Sequence, residues 1–191
     1  PWARVYTLNV DDLELAVHRQ FELPRKPLPI SALPARIEPN DSAERLPASD
    51  ELEVVHLNGL VGESLDSVTF STLQHAARLI DGCRYYAKLS ADLAAHPFVF
   101  VGTALDESLF WQHLQLRRAW GEASADRPRS LLVTPRLSRA RHVLLGGLNI
   151  DWVPASAEQF AEEVLAPLVA APERRNASSR TSHRDPARMP R

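Results

Sequence analysis

Short runs of β-forming residues alternate along the chain with longer amphipathic runs. In the longer runs, apolar residues recur every three or four positions, as they do on one face of a helix. The predicted strands are Arg4 to Val10, Glu53 to Asn58, a short one at Ser67 to Phe70, Phe98 to Val101, Ser130 to Thr134 and Ile150 to Val153. The predicted helices are Asp11 to Leu23, Thr72 to Ile80, Tyr85 to His96, a segment capped by Asp106, Ser138 to Leu145, and Ser156 to about Val169. This alternation predicts an α/β fold, with an open parallel sheet and helices on both faces.

Two details of the pattern sharpen these elements. The four apolar residues from Phe98 to Val101 have the composition of a strand that is buried on both faces. Ser156 and Gln159 have the spacing of a capping box, which predicts the start of the last helix.

Two segments interrupt the alternation. Six prolines fall between Pro24 and Asp50, and because each removes a backbone N–H donor, this stretch is predicted to be an irregular surface excursion or a lid. Residues 172–191 contain six Arg against Glu173 and Asp185 and almost no apolar residue larger than Ala. They are therefore predicted to form a disordered basic tail, either a solvated terminus or a contact for nucleic acid or an acidic partner. Residues 1–171 form the predicted domain.

Composition narrows the class of protein. With 45% hydrophobic and 24% charged residues, the chain belongs with globular proteins rather than disordered ones. It contains neither an apolar run long enough to span a membrane nor a secretory signal, so a cytoplasmic protein is predicted. The net charge of −2 argues against direct binding of nucleic acid. The chain opens at Pro1 on residues that already resemble a strand, and Met189 is its only Met, so we interpret it as a piece of a longer protein.

Small and polar residues follow three of the predicted strands. In an open parallel sheet, ligands bind outside the carboxyl ends of the strands, so these positions are candidate site residues. Gly102 would let the backbone approach a ligand closely, and Thr103 could bind a phosphate or a ribose hydroxyl, although a lone Gly-Thr pair also occurs in ordinary turns. The candidates are Thr7, Asn9, Asp11, His56, Asn58, Gly59, Gly102, Thr103 and Leu105.

These strand ends carry a resemblance to a known family. Thr7 to Asp11 is similar to the Thr-x-Asn-x-Asp motif of the sirtuin superfamily, particularly its bacterial sirtuin-like branch. Gly102 to Leu105 resembles the Gly-Thr-Ser-Leu motif of that family, with Ala104 in place of Ser. Between them, where the family has His-Gly after a strand, this chain has Asn58 and Gly59. The resemblance covers roughly residues 3 to 166.

The resemblance implies a Rossmann-like sheet that binds NAD and an activity that breaks the nicotinamide–ribose bond. Proteins of this kind deacylate lysine or, in many bacterial antiviral defence systems, hydrolyse NAD. By match, Asn9 would position the attacking water, Asp11 would hold the carboxamide, and Gly102 and Thr103 would contact phosphate and ribose. Thr7, Gly59 and Leu105 would complete the cofactor-binding set. Without the family pattern, Asn9 is a turn residue and Asp11 a helix cap.

Two departures from the family pattern bear on activity. No Gly precedes Gly59, so the Gly-rich phosphate loop expected on an earlier strand is absent from the sequence. The position of the catalytic His is occupied by Asn58, whose amide cannot act as a general base. His56 is the candidate to replace it, and it is alternatively a satisfied core histidine or another ligand contact. The catalytic candidates are therefore Asn9, His56 and Asn58.

The single cysteine separates the branches of the family. Lysine-deacylating sirtuins carry a four-cysteine zinc module between the second and third motifs, whereas this chain has only Cys83 there. We therefore predict no zinc module and no metal site, and an NAD hydrolase-type domain that works with an additional domain or partner protein. The alternative is a non-catalytic sensor of NAD or ADP-ribose, and a third possibility is a remnant that binds no ligand.

Overall fold

A computed structural model describes residues 2–32, 48, 50–61, 68–81, 84–119 and 127–170. Its strands are β1 (Arg4–Thr7), β2 (Lys26–Ser31), β3 (Glu51–His56), β4 (Val99–Val101), β5 (Ser130–Val133) and β6 (Ile150–Val153). Its helices are α1 (Leu13–Phe21), α2 (Thr72–Asp81), α3 (Arg84–Ala95), α4 (Ser108–Ala119), α5 (Arg139–Gly146), α6 (Ala157–Phe160) and α7 (Ala166–Ala170), and a π-helical turn (Ala161–Leu165) joins the last two. The predicted basic tail and Cys83 lie outside the described residues.

The described strands pair only in parallel. β3 lies between β1 and β2 in one sheet, and β5 lies between β4 and β6 in the other. The predicted α/β fold with parallel strands is therefore confirmed. The sequence predicted one sheet, whereas the described strands form two. β1 and β4 are not paired with each other among the described residues, and both line one cavity.

The Pro-rich segment differs most from its prediction. Lys26–Ser31 is a strand that pairs with β3 along its whole length, not part of an irregular excursion. Pro27 and Pro29 are compatible with it because β2 is an outer strand, where the missing N–H groups can face away from the ladder. Residues 33–47 of the same segment lie outside the described ranges, so the predicted lid remains a prediction.

The first and last residues of the other predicted elements agree with the structure to within about three positions. The exception is the strand expected at Ser67 to Phe70. That strand prediction is wrong, because residues 68–70 have no regular secondary structure. The capping box of Ser156 and Gln159 is present at the start of α6. β4 forms as predicted but is not buried on both faces, since Val101 is 41% exposed.

One hydrophobic core serves both sheets. Val55 of β3 and Leu132 of β5 are fully buried and belong to the same cluster. The cluster continues through α3 and α4 with Tyr86, Leu89, Leu93, Leu109, Phe110 and Leu114. Because the two sheets share this core, they belong to one packed body, and residues just after β1, β3 and β4 line one cavity.

Candidate functional site

The loops after β1 and β3 are neighbours at the carboxyl edge of the strands. Thr7 and His56, the last residues of these strands, are partners in the parallel register. The Leu57 N–H donates to the Thr7 carbonyl oxygen at 2.9 Å, which extends the pairing into the loops. The structure thus brings together six of the predicted site residues, a group that we call the β1–β3 corner: Thr7, Asn9, Asp11, His56, Asn58 and Gly59.

His56 is fully buried at the centre of the β1–β3 corner. Its Nδ1 lies 3.0 Å from the backbone oxygen of Asn9, and its Nε2 lies 3.0 Å from Oε1 of Glu14 in α1. Both neighbours are oxygen atoms, so each ring nitrogen has a polar partner inside the fold. Both ring nitrogens are thus used inside the fold, and the imidazole does not face open space.

Asn58 joins the two loops through its side-chain amide. Its Nδ2 donates to the carbonyl oxygen of Leu8 at 3.1 Å. Its Oδ1 is buried and has no hydrogen-bond partner among the described residues. Gly59 then turns the chain at a φ of 89°, a left-handed conformation that glycine adopts without strain. Because an amide does not titrate near neutrality, Asn58 supplies hydrogen bonds but no general base.

Asn9 and Asp11 present the exposed polar groups of this corner. The Asn9 N–H donates to Oγ1 of Thr7 at 3.1 Å, and the Asn9 carbonyl oxygen is the partner of His56. The N–H and the carbonyl oxygen of Asn9 are thus both hydrogen-bonded, while Asn9 itself is exposed. Oδ1 of Asp11 accepts a hydrogen bond from the N–H of Leu13, the first residue of α1, at 3.3 Å. The N-cap position itself is Asp12, which makes no side-chain cap bond. Asp11 is nevertheless exposed, which leaves its second oxygen accessible to a ligand.

The remaining predicted site residues, Gly102, Thr103 and Leu105, form a second group after β4, which we call the β4 corner. Gly102 has a φ of 71°, and a Cβ at this position would have no atom within 4 Å, so the backbone here borders open space. The Thr103 hydroxyl donates to Oε1 of Glu107 at 3.1 Å and accepts from the Leu105 N–H at 3.0 Å. These bonds tie the loop to the start of α4.

Leu105 has an unusual backbone conformation for a branched residue. Its φ is 53°, in the left-handed region that costs an L-residue about 1–2 kcal/mol. Two hydrogen bonds to its carbonyl oxygen offset this strain, from Nε1 of Trp111 at 2.6 Å and from Arg141 at 2.7 Å. Its side chain is buried in the core as well. Strain that the surrounding structure holds in this way is common in ligand-binding loops.

A cavity of about 1040 Å³ is lined by β1, β4 and the helices beside them. Thr103 and Leu105 line it at the carboxyl ends of the strands, together with Leu8 and Leu57. The other seven predicted site residues do not line it. The β4 corner therefore borders the cavity through Thr103 and Leu105. No residue of the β1–β3 corner lines it, although Leu8 and Leu57 of the same two loops do.

Three residues that the sequence pattern does not single out support the two corners. Glu14 holds His56, Glu107 holds Thr103, and Arg141 holds the carbonyl oxygen of Leu105. The two glutamates lie in or beside the first turn of the helices that follow β1 and β4, which is the only signal the sequence offers for them. Arg141 lies 36 positions from Leu105, and no local pattern connects the two.

A charged network lies along β1, on the side of α3. Arg4 forms ion pairs with Glu53 and Asp92, and the Tyr6 hydroxyl donates to Asp92 at 2.6 Å. Burial and the hydrogen bond to Asp92 raise the pKa of Tyr6 well above its usual value. Burial lowers the pKa of Arg4, but its hydrogen bond to Glu53 and the neighbouring charges outweigh that effect and raise it. Arg4 is therefore charged and Tyr6 neutral, and the network fastens β1 to α3.

Within the described ranges, no group of three or more His, Cys, Asp or Glu side chains could hold a metal ion. Cys83, on which the expectation of a missing zinc module depends, lies outside those ranges. The same part of the chain contains no helix of the length and apolar character needed to cross a membrane.

Comparison with known proteins leaves the family open. No protein-family model matches the chain, and no curated protein matches it either. The resemblance to sirtuins therefore rests on the motifs themselves.

Proposed function

We propose that this chain is a sirtuin-like domain that binds NAD and hydrolyses its nicotinamide–ribose bond. The observation that carries this proposal is the position of the three resembling motifs. The segments Thr7 to Asp11, Asn58 to Gly59 and Gly102 to Leu105 each lie at the end of a strand that pairs in parallel with its neighbour. Residues of the loops after all three strands line one cavity. Parallel α/β sheets bind nucleotides outside the carboxyl ends of their strands, where backbone N–H groups and loop side chains are accessible.

The exposed amide of Asn9 is suited to position the attacking water. In the reaction, the water oxygen bonds to the anomeric carbon of the ribose, nicotinamide leaves with the electron pair of the broken bond, and the water proton passes to solvent. Positive charge develops on the ribose, and fixed dipoles and carboxylates stabilise such charge. Asp11 would hold the carboxamide, and the open backbone at Gly102 with Thr103 would contact phosphate and ribose. His56 acts on Asn9 through the backbone, so we assign it a positioning role.

The absence of a titrating group at Asn58 sets the expected rate. A general base contributes about 10² to 10⁴ to the rate of such reactions, so hydrolysis by this chain is expected to be slow. The family's Gly-rich phosphate loop does not occur in residues 1–58, and we propose that another domain or a partner protein supplies the missing phosphate contacts. A cytoplasmic location and a role in antiviral defence belong to the same proposal.

Nicotinamide release by the intact protein tests the assignment of Asn9. We expect Asn9→Ala to lower NAD hydrolysis at least tenfold, because the water loses its fixed hydrogen-bond partner. Gln20→Ala is the matched control, since it removes another exposed amide, in α1, and should leave the rate unchanged. Undiminished hydrolysis in Asn9→Ala would refute the catalytic assignment.

A non-catalytic sensor of NAD or ADP-ribose is the second candidate function. Two observations favour it, namely that both nitrogens of His56 are used within the fold and that Asn58 cannot titrate. A sensor would bind NAD without releasing nicotinamide, and binding should raise the free energy of unfolding by about 2.7 kcal/mol at a ligand concentration a hundredfold above Kd. If neither NAD nor ADP-ribose shifts the melting temperature, both proposals fail and a remnant without a ligand is favoured.

A further inference from the structure

The cavity beside β1 lies at the edges of two strands rather than on a face of a sheet. Side chains alternate between the two faces of a strand, so a cavity on one face is lined by every second residue. This cavity is lined by five consecutive residues from Trp2 to Tyr6 and five from Pro97 to Val101. Both runs therefore meet the cavity along the strand, and the cavity is a slot between the facing edges of β1 and β4.

These two edges lack the protection that the outer edge of the first sheet has. β2 carries Pro27 and Pro29, whose missing N–H groups leave little for another strand to pair with. β1 and β4 contain no proline, and among the described strands each pairs on one side only, with β3 and β5 respectively. Val5 and Val101 on them are 37% and 41% exposed. Unpaired edges with apolar side chains are the usual docking sites for an added strand.

The size of the slot corresponds to one strand. A strand takes up about 4.8 Å towards its neighbour and about 10 Å between packed layers, with about 3.3 Å of length per residue. The cavity of about 1040 Å³ thus holds roughly six residues on these dimensions. β2 and β3, the longest strands described, each have six residues.

The lining of the slot is mainly apolar. Leu57, Leu89, Phe98, Phe100 and Phe110 contribute to it, and the rings of Phe98 and Phe100 stack with centroids 5.6 Å apart. Arg4 and Asp92, which also line it, are paired with each other. The other charged lining residues are Arg25, Lys88 and Glu107. Because apolar side chains make up most of the lining, a strand in this position needs mainly apolar residues.

The sequence segments outside the described ranges are poor candidates for this strand. Residues 33–47 contain three prolines, and residues 171–191 contain six Arg with almost no large apolar residue. Residues 62–67 and 120–126 each contain only one large apolar residue, Leu65 and Trp120. The occupant must therefore come from polypeptide other than residues 1–191.

We infer that the slot accepts one extended, apolar strand of about six residues from such a polypeptide. The strand lies parallel to β1 and β4, pairs with both, and converts the two three-stranded sheets into one sheet of seven parallel strands. Its carboxyl end lies beside Thr103 and Leu105, so the same strand would complete the edge at which a ligand binds. The inference depends on the slot and not on NAD, and it can fail or hold independently of the proposed activity.

A synthetic peptide tests the slot directly. The probe has six alternating Val and Ile residues with two Lys at each end, and the measurement is residue-resolved amide hydrogen exchange of the intact protein. We expect the peptide to slow the exchange of the cavity-facing amides of β1 and β4 at least tenfold. The outer-edge amides of β2 and β6 should not change. The matched control peptide carries N-methyl groups on two consecutive central amides, which removes one donor towards each edge, and it should give no protection.

Several outcomes would overturn the inference. Equal protection by the N-methylated peptide would mean apolar filling without strand pairing, and equal protection of β2 or β6 would mean unspecific edge association. Protection that appears without peptide and grows with protein concentration would assign the slot to a second copy of the chain. Faster exchange of β1 and β4 after deletion of residues 171–191 would assign it to the tail. No effect of the peptide at all would show that the slot does not accept a strand.

Discussion

At the carboxyl edge of the strands, the β1–β3 corner is closed by side chains, whereas the β4 corner is shaped by its backbone. In the first, His56 is fully buried between Asn9 and Glu14, and Asn58 is bonded to Leu8. In the second, Gly102 borders open space and Leu105 is held in a left-handed conformation. The residue types with the most obvious chemistry are thus used to build a loop, and the groups free for a ligand are backbone and short side chains.

This difference changes how the motifs are interpreted. A His at a strand end suggests a base, but its two hydrogen bonds make it a support for the loop that carries Asn9. A Gly-Thr pair at a strand end is a weak signal, yet Thr103 of this pair lines the cavity. The comparison predicts that the β1–β3 corner is sensitive to loss of side chains and that the β4 corner is sensitive to backbone changes.

Removing the buried imidazole of His56 should have the largest effect on stability. We expect His56→Ala to lower the free energy of unfolding by about 3 kcal/mol, because it leaves a cavity and deprives the Asn9 carbonyl oxygen and the Glu14 carboxylate of a buried partner. Urea unfolding of the purified variant measures the change.

His96→Ala is the control for this substitution, because His96 is exposed. A change at an exposed site is expected to stay within about 0.5 kcal/mol. If His56→Ala costs no more than His96→Ala, the β1–β3 corner does not depend on its side chains and the contrast between the corners disappears.

A pair of glycines tests the backbone of the β4 corner. Gly102→Ala should lower the free energy of unfolding by about 1 kcal/mol, because its φ of 71° is strained for a residue with a Cβ although the Cβ itself would meet nothing. Gly146→Ala in α5 should raise it by about 0.5 kcal/mol, because a Cβ there also meets nothing and alanine restricts the unfolded chain. Thermal unfolding measures the change in the free energy of unfolding for each variant. If the two variants change it in the same direction, the backbone interpretation of the β4 corner is contradicted.

The sequence predicts the elements well because their periodicity is local. The alternation of strands and helices, the capping box of Ser156 and the positions of the three strand ends all depend on residues a few positions apart. β2 was missed because two prolines in six residues argue against a strand unless it is known to be an outer one. Whether a strand is an outer one depends on the whole sheet, and a short window of sequence does not contain that information.

The sequence also identifies which residues stand at the strand ends, but not how each is used. His56 could be a base, a ligand contact or a core residue until Glu14, 42 positions away, is placed against it. Phe98 to Val101 has the composition of a strand buried on both faces, yet β4 is partly exposed at the slot. The composition of β4 is typical of a central strand, but among the described strands β4 is an edge strand. We interpret this mismatch as a sign that another strand pairs with β4 at the slot.

The smallest expected effect is a loss of stability in mild acid, in the half of the molecule that contains β4. Burial lowers the pKa of His113 in α4, whose ring stacks on Tyr86 of α3 with centroids 6.3 Å apart. Below its ordinary pKa of 6.5 the unfolded chain takes up a proton before the folded one does. Stability is therefore complete above that pH, falls as the pH drops towards the lowered pKa, and then levels off.

The variant His113→Gln isolates this contribution, because glutamine keeps a polar side chain that does not titrate. Between pH 7.5 and pH 5.5, the urea midpoint of the wild-type protein should fall further than that of the variant. Burial and Arg78 also lower the pKa of His75, so His75→Gln is expected to reduce the acid sensitivity in the same direction. Identical midpoint shifts in the wild type and both variants would place the acid response elsewhere. A reduced shift in His113→Gln would locate it at the contact between α3 and α4, the helices that precede and follow β4 and that line the slot.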